Sequence, residues 1–109
     1  MAFRTTPKPT FKQEVTVSIA NDKGGYDRDS FVAIFKRASL DEQVELRKLS
    51  NEALLRRQLV NWEMTEKDTN EAVPFTSEKL EEIMQITPTA YTTALAFWDG
   101  VNGAKTKNL

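Results

Sequence analysis

The segment EVTVSIANDKGGYDRDSFVAIFKR, residues 14–37, sets the class of the fold. From Glu14 the chain alternates, with Val15, Val17 and Ile19 on one side and Thr16 and Ser18 on the other, the period of a strand with one buried face. Gly24 and Gly25 then accept the positive φ that a reversal requires. A β-branched and aromatic run, FVAIFKR, follows. The segment therefore predicts a β-hairpin. Its second strand carries apolar residues of both parities, Phe31, Ala33 and Phe35 against Val32 and Ile34, so it is expected to be covered on both faces or to pair with something else. A two-stranded hairpin alone is marginal in water, so other elements or another subunit must complete it.

Downstream the signals are helical. Ser39 with Glu42 three residues later forms a capping box and opens a helix expected over Leu40–Leu49. Ser50 can cap a second helix, with Leu49 and Leu54 spaced as a hydrophobic staple. Leu55, Leu59 and Trp62 recur at helical spacing beyond it. In VPFTSEKL, residues 73–80, Pro74 holds the chain extended, Thr76 is the cap, and Phe75 and Leu80 take the staple positions. Leu80, Ile83 and Met84 form the inner stripe. The same pattern recurs in ITPTAY, where Thr87 is expected to cap, Pro88 to open the helix and Ile86 to meet Tyr91. Tyr91, Ala94, Leu95, Trp98 and Val101 are the expected buried face of the last helix, with Gly103 as its stop. The fold class is α+β: an N-terminal β-hairpin followed by about four short helices in one small domain. Residues 1–12, with Pro7 and Pro9, read as a flexible arm before a domain spanning 13–109.

Composition narrows the function. The 109 residues carry 15 basic and 16 acidic side chains, a formal net charge of -1, so no long-range field draws the chain onto nucleic acid. The longest apolar run, FVAIF, is far short of the roughly 20 residues that span a bilayer, and MAFRTTPKPT lacks the apolar segment of a signal peptide. A soluble, intracellular protein is expected, without membrane contact. There is no cysteine and no histidine, hence no disulfide framework and no ordinary zinc or iron site. No cofactor, metal or catalytic residue is expected.

The remaining chemical candidates give way to simpler readings. Glu81 and Glu82 are neighbours on a helix and diverge by roughly 100°, and Asp27 and Asp29 sit near an expected turn, so both pairs read as solvated charge rather than acid–base partners. Gly24 and Gly25 lie in no phosphate-loop pattern. TEKDTNE, residues 65–71, lacks calcium-loop spacing and reads as a polar linker. Arg47, Lys48, Arg56 and Arg57 are interrupted by Glu45 and Glu52, which weakens a nucleic-acid reading. Trp62, Phe75, Tyr91, Phe97 and Trp98 read chiefly as core. Phe97 beside Trp98 widens the last helix's apolar face toward a second covering surface or a partner.

The order of elements carries more information than any one of them. A β segment ending FVAIFKRAS, a helical middle ending LLRRQLVNWE, a polar linker, VPFTSEKLEEIM, a proline-started aromatic helix and a closing GAKTKN together resemble the tail assembly chaperones of long-tailed bacteriophages, over roughly residues 26–108. Trp62, Pro74, Phe75, Thr76, Glu78 and Leu80 occupy the family's motif positions, and Lys105 to Asn108 match its lysine–asparagine ending. Glu71 and Ala72 stand where the family pattern has a glycine.

The resemblance implies a non-enzymatic protein of the host bacterial cytoplasm, absent from the mature virion. It would bind the tape measure protein, with the major tail tube protein as a further expected partner, keeping the former soluble while the tube polymerises. It implies structural roles for Trp62, Pro74, Phe75, Thr76 and Leu80. Partner-facing surface is expected at Phe31 and Phe35 on the second strand and at Phe97 and Trp98 on the last helix, with self-association a further expectation. The alternative reading is a structural tail or head–tail component that stays in the virion as a ring built by strand-edge pairing.

Overall fold

A computed structural model describes residues 1–103. The elements run β1 (Thr10–Ala20), β2 (Tyr26–Lys36), α1 (Leu40–Leu46), α2 (Asn51–Gln58), β3 (Leu59–Glu63), α3 (Ser77–Met84) and α4 (Thr89–Val101). The fold is α+β, with an N-terminal antiparallel hairpin, a third strand and four helices. The strand order is β1-β2-β3, so β2 is central. That placement explains its apolar residues of both parities. Phe31, Ala33 and Phe35 enter the core, while Val32 and Ile34 lie half-buried on the open face. There Lys12 of β1 reaches Glu63 of β3 at 2.6 Å, spanning the central strand.

β1 begins before the expected boundary. Thr10, Phe11 and Lys12 belong to the strand rather than to an arm, because Phe11 has an apolar niche against Phe35 and Phe97, with ring centroids at 5.5 and 5.9 Å. The Arg37 N–H donates to the Pro9 carbonyl at 3.0 Å, which ties the approach down as well. Proline is tolerated so close to the ladder because β1 is an edge strand.

The local helix signals act where the sequence places them. Glu42 N–H donates to Ser39 Oγ at 3.2 Å and Ser39 N–H to Glu42 Oε1 at 2.8 Å, a complete capping box. Ser50 accepts from Ala53 N–H and Thr76 from Lys79 N–H. α1 is shorter than expected: the N–H groups of Lys48 and Leu49 bond three residues back, closing the helix in a tight turn before the Ser50 cap.

A third strand replaces the expected end of α2. Leu59 and Trp62 are both buried although three residues apart, a spacing that a helix provides and a regular strand does not. The sheet accommodates it with a bulge. Phe35 pairs with Leu59 and Ile34 with Asn61, so Val60 is an extra residue and both flanking side chains turn inward.

α4 is rotated from its expected orientation. Its buried residues are Thr89, Ala90, Thr93, Ala94, Ala96 and Phe97, whereas Tyr91 and Leu95 are 60% and 46% exposed. The small residues let the helix lie close to β1 and α2, and its outward side carries the larger apolar groups. Thr87 does not cap it. Pro88 holds the cap position without a side-chain bond, and Ile86 is exposed rather than stapled. Lys105 to Asn108 lie outside the described residues.

Candidate functional site

The corner between β3 and α3 is built around Trp62. Its indole Nε1–H donates to the Val73 carbonyl at 2.7 Å, and its ring meets Phe75 edge-on at 4.7 Å and Phe31 at 6.3 Å. Pro74 therefore stands between a carbonyl held by Trp62 and a ring packed on Trp62. Thr76 and Leu80 continue the unit, one capping α3 and the other buried beneath it. These five residues act within the chain, as one local structure that returns the backbone from the sheet to the helices.

The polar stretch between Trp62 and Pro74 is an ordered loop rather than an open linker. Thr65 bridges Ala72, Val73 N–H donates to the Met64 carbonyl, and Glu66 N–H donates to Glu71. Asn70 closes the turn at φ 59°, a left-handed conformation that asparagine tolerates better than most residues. Lys67, on this loop, reaches Asp29 of β2 at 2.6 Å. The hydrogen bond to Asp29 and that carboxylate's charge push the Lys67 ammonium above its ordinary value.

Between the loop, the hairpin and the α3–α4 connection opens a cleft of about 540 Å³. Val17, Ile19 and Phe31 form its sheet side, and Met64, Ile83 and Ile86 face them. Arg28, Asp29, Glu66 and Lys67 stand at the charged margin. The volume is within the range of small-ligand and side-chain pockets, roughly 300–1,000 Å³. A mixed lining of six apolar and eight polar or charged residues, with charges of both signs, suits an amphipathic segment better than a uniformly charged ligand.

The expected partner-facing residues divide among different surroundings. Phe35 and Phe97 are fully buried, 0% exposed, and pack ring to ring at 5.3 Å. They are core residues, because β2 is central and α4 presents Phe97 straight down onto it. Phe31 is buried too, but it lines the cleft. Trp98 is half-buried, edge-on to Phe97 at 5.1 Å, with the Arg47 guanidinium 4.3 Å above its ring. The structure does not bring these four onto one surface. Met64 and Ile86, which do face the cleft, were given no partner role by the sequence pattern. Their signal is a weak one: each is apolar, and each stands just outside the element it follows.

Among the described residues no group of metal-ligating side chains comes together, and no helix is long and apolar enough to cross a membrane. No family model, curated protein or solved structure matches the chain.

Proposed function

We propose that the protein is a non-enzymatic tail assembly chaperone of a long-tailed bacteriophage or prophage, binding the tape measure protein in the host cytoplasm while the tail tube assembles. The resemblance in the order of elements supplies the family. The observation that carries the reading to a site is the amphipathic cleft whose apolar side includes Val17, Phe31, Met64 and Ile86. A tape measure protein is a very long, largely helical chain whose apolar stripes aggregate when left uncovered. A helper for such a chain needs a groove that accepts apolar side chains, and the apolar side of the cleft supports that reading.

The test is co-expression with the tape measure protein of the same genome, followed by pull-down and light scattering. The wild-type chain is expected to keep the tape measure protein soluble in a defined complex. Ile86→Asp is expected to weaken that complex while preserving the thermal transition, because Ile86 is 45% exposed. An insoluble tape measure protein beside a freely eluting chain overturns the proposal. Mass spectrometry of purified particles separates it from the structural alternative: a chaperone is depleted from virions, a structural component is stoichiometric.

A further inference from the structure

The outer edge of β1 has a polarity that can be read from its two ends. Arg37 N–H donates to the Pro9 carbonyl and Asn21 N–H to the Gly25 carbonyl, both at 3.0 Å, flanking a register that runs unbroken from Thr10↔Lys36 to Ala20↔Tyr26. Bonded pairs alternate along an antiparallel ladder, so the odd-numbered residues of β1 bond to β2. The even-numbered ones, Thr10, Lys12, Glu14, Thr16, Ser18 and Ala20, turn their backbone N–H and C=O outward. Among the described residues no strand pairs with that side.

Natural edges are blunted by proline, bulges, charge or coverage. Between Thr10 and Ala20 there is no proline and no bulge. The charged residues are Lys12 and Glu14, of opposite sign and two positions apart. We infer that this edge pairs with the same edge of a second copy of the chain, antiparallel, about a two-fold axis at Gln13.

Charge complementarity selects the occupant and the register. With the axis at Gln13, Lys12 faces Glu14 of the second copy and Glu14 faces its Lys12, while Thr10 and Thr16 face each other. All four pairs join even-numbered residues, whose backbone groups already point outward, so each pair can exchange two hydrogen bonds. Moving the axis to Lys12 or to Glu14 sets like charges against each other. Lys12, already 2.6 Å from Glu63, then lies between two carboxylates. Leu95 lines this edge beside Glu14 and Thr16, so an added strand also covers an exposed apolar side chain. Such a contact is isologous and closes at two copies, unlike a ring. It uses β1 up to Thr16, whereas the cleft begins at Val17, so dimerisation and partner binding are separable.

Sedimentation or light scattering over a wide concentration range tests the pairing. The wild-type chain is expected to form a concentration-dependent dimer. Lys12→Glu and Glu14→Lys are each expected to weaken self-association by roughly tenfold, since two facing pairs turn from attractive to repulsive. Mixed together, the two variants are expected to form a one-to-one heterodimer, because every facing pair is then opposite in charge. Thr16→Pro removes an outward N–H that the intrachain ladder does not use, so it should abolish the dimer and keep the thermal transition. A wild-type chain that stays monomeric throughout overturns the inference. So does a dimer indifferent to both charge reversals, or a mixture that fails to pair.

Discussion

Near the start of β1 the inner face of the sheet is closed by rings, with Phe11, Phe35 and Phe97 at centroid distances of 5.3 to 5.9 Å, whereas near its end Val17, Ile19 and Phe31 look into a cleft. Both regions belong to the same face of the same hairpin and are comparably apolar. The difference comes from α4, which runs antiparallel to β1. Its C-terminal half lies directly on the strand, where Gly100 leaves room for Phe11: a Cβ there would clash with Phe11 Cε2. Its N-terminus begins only at Thr89, after a turn that carries Ile86 outward, and a cleft remains there beside Val17 and Phe31. Apolar side chains are thus sealed ring against ring at one end, whereas at the other Val17 and Phe31 are still buried and the accessible apolar surface is chiefly that of Ile86, with Ile19, Met64 and Ile83 half-buried.

The sharpest way to break this contrast is to truncate one residue at each end. Phe97→Ala is expected to cost about 3–5 kcal/mol in denaturant unfolding, while Ile86→Ala stays within about 0.5 kcal/mol. Equal costs would mean the two ends are packed alike. Gly100→Ala comes next. It forces Phe11 from its niche and is expected to destabilise by about 1–3 kcal/mol despite alanine's better helix propensity, and Phe11→Ala in the same chain should relieve much of the clash. A neutral Gly100→Ala would show that the closed end is loosely packed.

Between the ends, Thr93 is buried with no hydrogen-bond partner for its hydroxyl among the described residues, although it is flanked by well-packed residues. Thr93→Val keeps the shape and removes the unpaired group, so a gain of about 1 kcal/mol is expected from chemical denaturation. A loss instead would reveal that the hydroxyl is satisfied.

The smallest effect belongs to pH. The hydrogen bond from Arg56 to Glu81, and then the guanidinium charge, hold the Glu81 carboxyl below its ordinary 4.5; the backbone N–H of Ser39 does the same for Glu42. Both depressed values stabilise the fold above the unfolded value. That contribution is lost as pH falls below 4.5 through the folded values. Both groups are exposed, so the decline should be shallow, and Arg56→Gln should flatten it further without changing the contrast between the two ends. Thermal melts across the acidic range measure it.

Much of the local structure was legible because its causes are local. Ser39, Ser50 and Thr76 cap helices through bonds that span three residues, and Val15 and Val17 face inward by simple alternation. The third strand was not legible. Leu59 and Trp62 have helical spacing, and only pairing with β2, with a bulge at Val60, lets a strand bury both. The cleft was harder still, because Val17, Met64 and Ile86 come from three separate parts of the chain and none carries a distinctive chemistry.

By itself the sequence determined the α+β class, the hairpin, the caps, and the absence of histidine and cysteine chemistry. Each rests on composition or on contacts a few residues long. The tertiary structure decided which apolar residues are core and which are exposed. Phe97 went inward and Tyr91 outward because a helix with several apolar faces takes its orientation from what it packs against, and here the small residues Ala90, Ala94 and Ala96 allowed the closest approach.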